Sequence, residues 1–188
     1  MLVVDEGLRI GTEKEKRNTA IRMLVKGLNL EFISEITVLF IEQIRDIERG
    51  IKWGIEWGKR KTAVKMLAKG LSLELISEMT ELLIEQLRDI EQDTERSIKW
   101  DMGNDKLNIA LKMLAEGSIL EWVSKATGLP REHLQDLEHG IWHGIGEEKR
   151  NIALKMLAKD LDLELISETT KIPIERLREK KSEMPCQS

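Results

Sequence analysis

Tyrosine is absent from this 188-residue chain, cysteine occurs once, proline three times and phenylalanine twice. The lone Cys186 lies in a polar tail and excludes an internal disulfide, which fits a reducing compartment. No apolar run approaches the roughly 20 residues that a membrane span needs. The opening MLVVDEGL meets acidic residues at once, unlike a signal peptide, so a cytoplasmic protein is expected. Neither sign of charge dominates: 30 Lys and Arg stand against 34 Asp and Glu, a net charge of -4. That balance gives no global attraction to nucleic acid or anionic lipid. No phosphate-binding glycine loop, nucleophile–base pair or metalloprotease motif occurs, so neither an enzyme nor a cofactor is expected.

What remains is helix-forming chemistry. Apolar residues make up 41% and charged residues 34%, the balance of a folded soluble chain. Four segments repeat one another: TAIRMLVKGLNLEFISEIT, TAVKMLAKGLSLELISEMT, IALKMLAEGSILEWVSKAT and IALKMLAKDLDLELISETT. Their Met-Leu pairs begin at Met23, Met66, Met113 and Met156, spaced 43, 47 and 43 apart. The middle interval holds four extra residues, about one helical turn. Each copy reads as a short helix followed by a long one. Ile41, Ile44, Ile47, Ile51, Ile55, Gly58, Thr62 and Met66 form one continuous helical stripe. Ile84 to Met113 and Leu134 to Met156 give two more; a helix of about 29 residues would be roughly 44 Å long. The expected fold is all-α: four tandem helix-turn-helix-like repeats, near 7–49, 50–96, 97–139 and 140–181, in a solenoid-like array. Residues 182–188 are expected to be a disordered tail.

The helix ends carry signals. Gly27, Gly70 and Gly117 suit left-handed C-caps, and Asp160 stands at that place in the last copy. Asn29, Ser72 and Asp162 are expected N-caps, and Ser118 with Glu121 reads as a capping box. The turns TGLP and TKIP hold breakers, whereas TVLF and TELL, after Thr37 and Thr80, hold none. Those two turns either close like the others or fuse into longer helices, opening the chain to domain swapping. The recurrent Ser34, Ser77, Ser124 and Ser167 suit close helix contact, and Thr37, Thr80, Thr127 and Thr170 suit caps.

The stretch GIKWGIEWGKR spaces Gly50, Gly54 and Gly58 four apart, on one helical strip with an isoleucine wall and a tryptophan wall. Small residues at that spacing let another helix approach, either inside the array or as a docking groove for a partner. Gly7 and Gly11, Ser97 and Asp101, and Gly140 and Gly144 keep the floor in part. Trp53, Trp57, Trp100, Trp142 and Gly54 are the candidate partner contacts, with Trp142 on the solvent side.

GIKWGIEWGKRKTAVKMLAKGLSLELISEMTELLIEQLRDIE resembles the C-terminal tail of the bacterial recombination-promoting, transposase-like nucleases of the PD-(D/E)xK class. That resemblance implies a multiplied, non-catalytic tail suited to self-association or to controlling a related nuclease. No strand-rich segment here suits the nuclease domain itself, so its chemistry does not carry over.

LEWVSKATGLPREHLQDLE also has the layout of a helix-turn-helix, with Ser124 at the helix contact and Gly128 at the turn. Three of the four would-be recognition helices are net acidic, which opposes a polyanion. Only IERLREKK is basic, making Arg176, Arg178, Lys180 and Lys181 the candidate DNA contacts. Glu132, Asp136, His139 and His143 share one helical face, but the other copies have no matching ligands and no metal is expected. The expected function is protein binding, including self-association. A helix-turn-helix DNA-binding regulator is the alternative.

Overall fold

The computed structural model describes residues 2–92 and 106–183, with side chains from Thr12 onward in the first helix. The described residues are helical and carry no strand. The helices are α1 (Leu2–Val25), α2 (Leu30–Thr37), α3 (Ile41–Ala68), α4 (Leu73–Thr80), α5 (Ile84–Gln92), α6 (Lys106–Ala115), α7 (Leu120–Thr127), α8 (Arg131–Ala158), α9 (Leu163–Thr170) and α10 (Ile174–Glu183). Each copy therefore contributes a helix end, a turn, an eight-residue helix, a second turn and the start of the next helix. The middle of the second expected stripe lies outside the described residues. The expected tail begins as helix, because α10 runs through Ser182 and Glu183 and the Ser182 hydroxyl donates to the Glu179 carbonyl.

Side chains make the second turn, and they do so in all four copies. The Thr37 hydroxyl donates to the Ile33 carbonyl and accepts from the Leu39 amide; Thr80, Thr127 and Thr170 repeat this. The Ser34, Ser77 and Ser124 hydroxyls reach across the turn to the carbonyls of Leu39, Leu82 and Leu129. The serines thus act through their hydroxyls as well as their size. With the last carbonyls satisfied in this way, the chain reverses without a breaker. Both breaker-free turns are closed: Val38 and Glu81 adopt φ of 58° and 60°, as Gly128 does at 72°. Gln43 and Gln86 then accept from the Phe40 and Leu83 amides and restart the helix.

Asn29, Ser72 and Asp162 cap α2, α4 and α9 as expected, and Gly27, Gly70, Gly117 and Asp160 all have positive φ. The expected Ser118 capping box does not form. Ile119, one residue later, occupies the N-cap of α7; its side chain carries no acceptor, and its carbonyl takes the Trp122 and Val123 amides.

The chain divides into two compact units. The first is Met1–Gly54 with Gly103–Gly144, and the second is Ile55–Met102 with Ile145–Ser188. Within the first unit the first copy is grouped with the third; within the second, the second with the fourth. These partners are not chain neighbours, unlike the sequential stack expected. In the first unit the partners meet through glycine. A Cβ on Gly50 would lie 3.0 Å from Gly140 Cα, and one on Gly140 would lie 2.9 Å from Gly50 Cα. The contact is reciprocal, as between two copies related by a two-fold. In the second unit one continuous core joins both copies through Met66, Met79, Leu87, Met156, Ile166 and Leu177.

Candidate functional site

The glycine floor is filled from within. Gly54 lies against the backbone of Ile141, so no side chain fits between them. Trp53 and Trp57 are 6% and 7% exposed and belong to the interior of their units. These three residues therefore serve packing rather than an outward surface. Trp142 is half exposed beside Glu138, whose pKa burial raises and Trp142 draws back down. Trp100, Ser97 and Asp101 lie outside the described residues, and nothing is described of the Gly7 and Gly11 surroundings.

A different surface emerges when the copies are compared position by position. In the second unit the outer face of each short helix is closed: Met79 on α4 is 1% exposed and Thr169 on α9 is 0% exposed. The Lys65 ammonium donates to the Thr169 carbonyl from the partner copy's long helix. At the same position in the first unit, Ile36 on α2 is 54% exposed and Ala126 on α7 is exposed. Leu75 and Leu165 pack against the core of the second unit, whereas their counterparts Phe32 and Trp122 are 44% and 67% exposed. Val25, Val38 and Phe40 add to the exposed apolar surface of the first copy. The sequence reading missed this face. Its only signal was an aromatic residue in a column that elsewhere holds leucine.

Ion pairs in the second unit follow the same two-fold logic. Lys69 pairs with Glu168, and Lys159 pairs with Glu78 at 2.7 Å. Glu81 is gripped by Lys59 at 3.3 Å and Lys155 at 2.5 Å, and these bonds hold its carboxyl below the usual range. The counterparts of Lys59 and Lys155 are Lys149 and Lys65, but the counterpart of Glu81 is Lys171. Three ammonium groups therefore converge where the other side has two and a carboxylate. Burial lowers the Lys65 pKa, and Lys149, Lys171 and Lys61 lower it further; burial and Lys61 lower that of Lys149.

Beside these lysines lies a cavity of about 430 Å³. Its walls carry Lys149, Arg150, Lys171, Arg176 and Lys180 against the single carboxylate of Glu179, over Ala153, Leu154, Leu157, Ile172 and Pro173. Of the basic residues expected on α10, all four are exposed; Arg176 and Lys180 line this cavity, Lys180 also pairs with Glu183, and Lys181 pairs with Asp160 at 2.5 Å. The structure thus brings part of that set together and adds Lys149, Arg150 and Lys171 from other elements.

The histidine face is used internally. Arg17 Nε donates to the fully buried Asp136 at 2.5 Å, and His139 Nε2 lies 3.2 Å from the Asn18 amide oxygen. Burial raises the Asp136 pKa, against the pull of Arg17. Among the described residues no group of three His, Cys, Asp or Glu side chains is placed to hold a metal. Nor is any helix among them long and apolar enough to cross a membrane.

Residues 104–139 include the whole of α6, the first turn, α7, the Gly128 turn and the start of α8. They match the family model described as Rpn/YhgA-like nuclease family, C-terminal HTH domain. Over this segment the chain is similar to the helix-turn-helix domain of that family. No curated protein and no solved structure matches the chain. The match covers the third copy, the one with glycine at the turn, and its threonine turn bonds recur in the other three. Two features depart from a DNA reader of this layout. The Rpn-type second helix is acidic in the matched copy, and its Asp136 is buried on Arg17 rather than facing outward.

Proposed function

We propose that this chain is a non-catalytic protein-binding module whose helix-turn-helix units pair with one another, and that its partner is a second copy of the chain. The observation that carries this reading is the short-helix face that is closed in the second and fourth copies and open in the first and third. Contiguous exposed apolar surface of this kind marks an interface.

Charge supports a second copy as the occupant. In the closed pair, a lysine after the long helix meets a glutamate on the partner's short helix, and the exchange is reciprocal. The same two places hold Lys26 and Glu35 in the first copy but Glu116 and Lys125 in the third. All four are exposed. First against third would set Lys26 on Lys125 and Glu116 on Glu35, a repulsive match. First against first of another chain sets Lys26 on Glu35 twice, and third against third sets Glu116 on Lys125 twice. Like pairs with like, and only between chains. A related nuclease whose tail carries the lysine–glutamate code presents the same chemistry to the first copy.

Sedimentation velocity over a concentration series tests this. The wild-type mass should rise with concentration. Ile36→Lys combined with Trp122→Lys should abolish the rise while the circular dichroism spectrum stays helical. Glu35→Lys alone should weaken association, and Lys26→Glu with Glu35→Lys should restore it. A wild-type chain that stays monomeric throughout would sink the reading.

A second reading, a helix-turn-helix DNA-binding regulator, is favoured by the family match and by the basic wall that α10 shares with α8. It predicts duplex binding that collapses between about 50 and 200 mM salt, measured by fluorescence anisotropy. No binding at either salt would remove it.

A further inference from the structure

The two halves of the second unit are built on one plan, and they differ at a single decisive place. Around Glu81, the ammonium groups of Lys59 and Lys155 close on a carboxylate. At the matching position stands Lys171, which lines one cavity with Lys149, and both repel the Lys65 ammonium. Among the described residues, no carboxylate lies within ion-pair distance of Lys65, Lys149 or Lys171. The Glu168 carboxylate feels Lys171 but is already bound to Lys69. Two of the three cations are partly buried, where water screens their repulsion poorly. The fold thus keeps the lysines of an anion cradle and has replaced the anion.

The cavity beside this cradle has changed in step. Each of its lining residues has a counterpart in the second copy. Gly146 stands for Glu56, Arg176 for Gln86, Pro173 for Leu83 and Lys180 for Ile90. Glutamate to glycine opens space and removes a negative charge. Arg176 and Lys180 add positive charge at the rim, and Pro173 keeps its position apolar. The floor stays apolar, through Leu154, Leu157 and Ile172. A volume of about 430 Å³ falls in the range of roughly 300–1,000 Å³ that small-molecule sites occupy.

We propose that this cavity binds an organic phosphate of nucleotide size, with the phosphate between Lys149 and Lys171, closed by Arg176, and the apolar body over Leu154, Leu157 and Ile172. Planar Arg and mobile Lys donors together suit phosphate oxygens. The inference stands on the second unit alone and does not rest on self-association.

The test uses the full chain in a phosphate-free buffer and reads Tm by differential scanning fluorimetry. The probes are AMP, inorganic phosphate and a mixed-sequence DNA duplex. The key variant is Lys171→Glu, which installs the residue that the second copy already tolerates at Glu81. Without probe, Lys171→Glu should melt higher than wild type, because Lys65 and Lys149 regain a carboxylate. AMP should raise the wild-type Tm more than inorganic phosphate does, with a half-saturating concentration at least tenfold higher for Lys171→Glu. Arg176→Gln, which copies Gln86, should weaken AMP in the same direction. Equal effects of AMP on wild type and Lys171→Glu, or no effect on either, would overturn the site. AMP and inorganic phosphate acting alike would overturn the organic part. A Lys171-dependent response to duplex alone would overturn the small-molecule assignment and make the cavity a backbone contact.

Discussion

Alanine at two glycines six residues apart on α8 should have opposite effects. A Cβ on Gly140 would meet the Ile47 carbonyl oxygen and lie 2.8 Å from Ile51 N and 2.9 Å from Gly50 Cα. All three are backbone atoms of the facing helix and cannot rotate away. Carbon contacts are comfortable at about 3.5–4.0 Å, so α3 would have to retreat by roughly 0.7 Å. A gap of that size forfeits about a quarter to a half of the contact attraction along the seam. Overpacking of this kind costs about 1–3 kcal/mol. Against it, alanine relieves the glycine penalty in a helix by up to about 1 kcal/mol. Gly140→Ala should therefore lose about 1–2 kcal/mol net once the seam has opened. At Gly146 the nearest atom is Arg150 Nη1 at 3.6 Å, the far end of a flexible side chain. There only the propensity term acts, and Gly146→Ala should gain about 0.5–1 kcal/mol. Urea denaturation followed by far-ultraviolet circular dichroism reads both changes as shifts of the midpoint at constant slope. A Gly140→Ala midpoint at or above wild type would refute the close approach of the two helices.

Other outcomes follow from single contacts. Val38 holds a left-handed conformation that costs a non-glycine residue about 1–2 kcal/mol, and it is 75% exposed, so Val38→Gly should raise Tm with little packing lost. Gly128→Val should lower it. Arg17→Met would strand the buried Asp136 charge and should cost about 3 kcal/mol in urea unfolding, the usual toll of halving a buried pair. Glu148 is 6% exposed, and burial raises its carboxyl pKa above the usual 4.5. The folded state then holds the proton more tightly than the unfolded state, so stability falls as pH climbs from 4.5 through the raised folded value. Glu148→Gln should flatten that part of the pH–stability curve and be the more stable chain at neutral pH; an unchanged slope would count against it.

The long helices α3 and α8 and most caps were legible because periodicity and cap chemistry are local. The glycine strip was legible as a close-packing device, since four-residue spacing puts all three residues on one side of a helix. Its occupant was not: tryptophan beside glycine reads the same whether the second helix comes from this chain or another. The breaker-free turns were ambiguous for a related reason. Val38 and Glu81 say nothing of a turn by themselves, and the hydrogen bonds that bend the chain belong to a serine four residues earlier and a threonine one residue earlier.

Pairing between copies was hidden more deeply. The sequence shows four near-identical units, and a solenoid is the simplest use of them, because neighbours in sequence are the cheapest partners to bring together. The side chains that differ between copies at the paired positions look interchangeable in the sequence. Lys69 with Glu168 and Lys159 with Glu78 fix the positions that must carry opposite charge. On the proposed reading, Lys26, Glu35, Glu116 and Lys125 stand at those same positions and act as a code. Exposed pairs are worth only about 0–1 kcal/mol each, too little to drive folding. They are enough to choose among otherwise equal apolar faces, since reversing two of them changes the preference by the sum of attraction lost and repulsion gained. Duplication made the faces equivalent, and the charge exchange in the third copy is what makes them distinguishable.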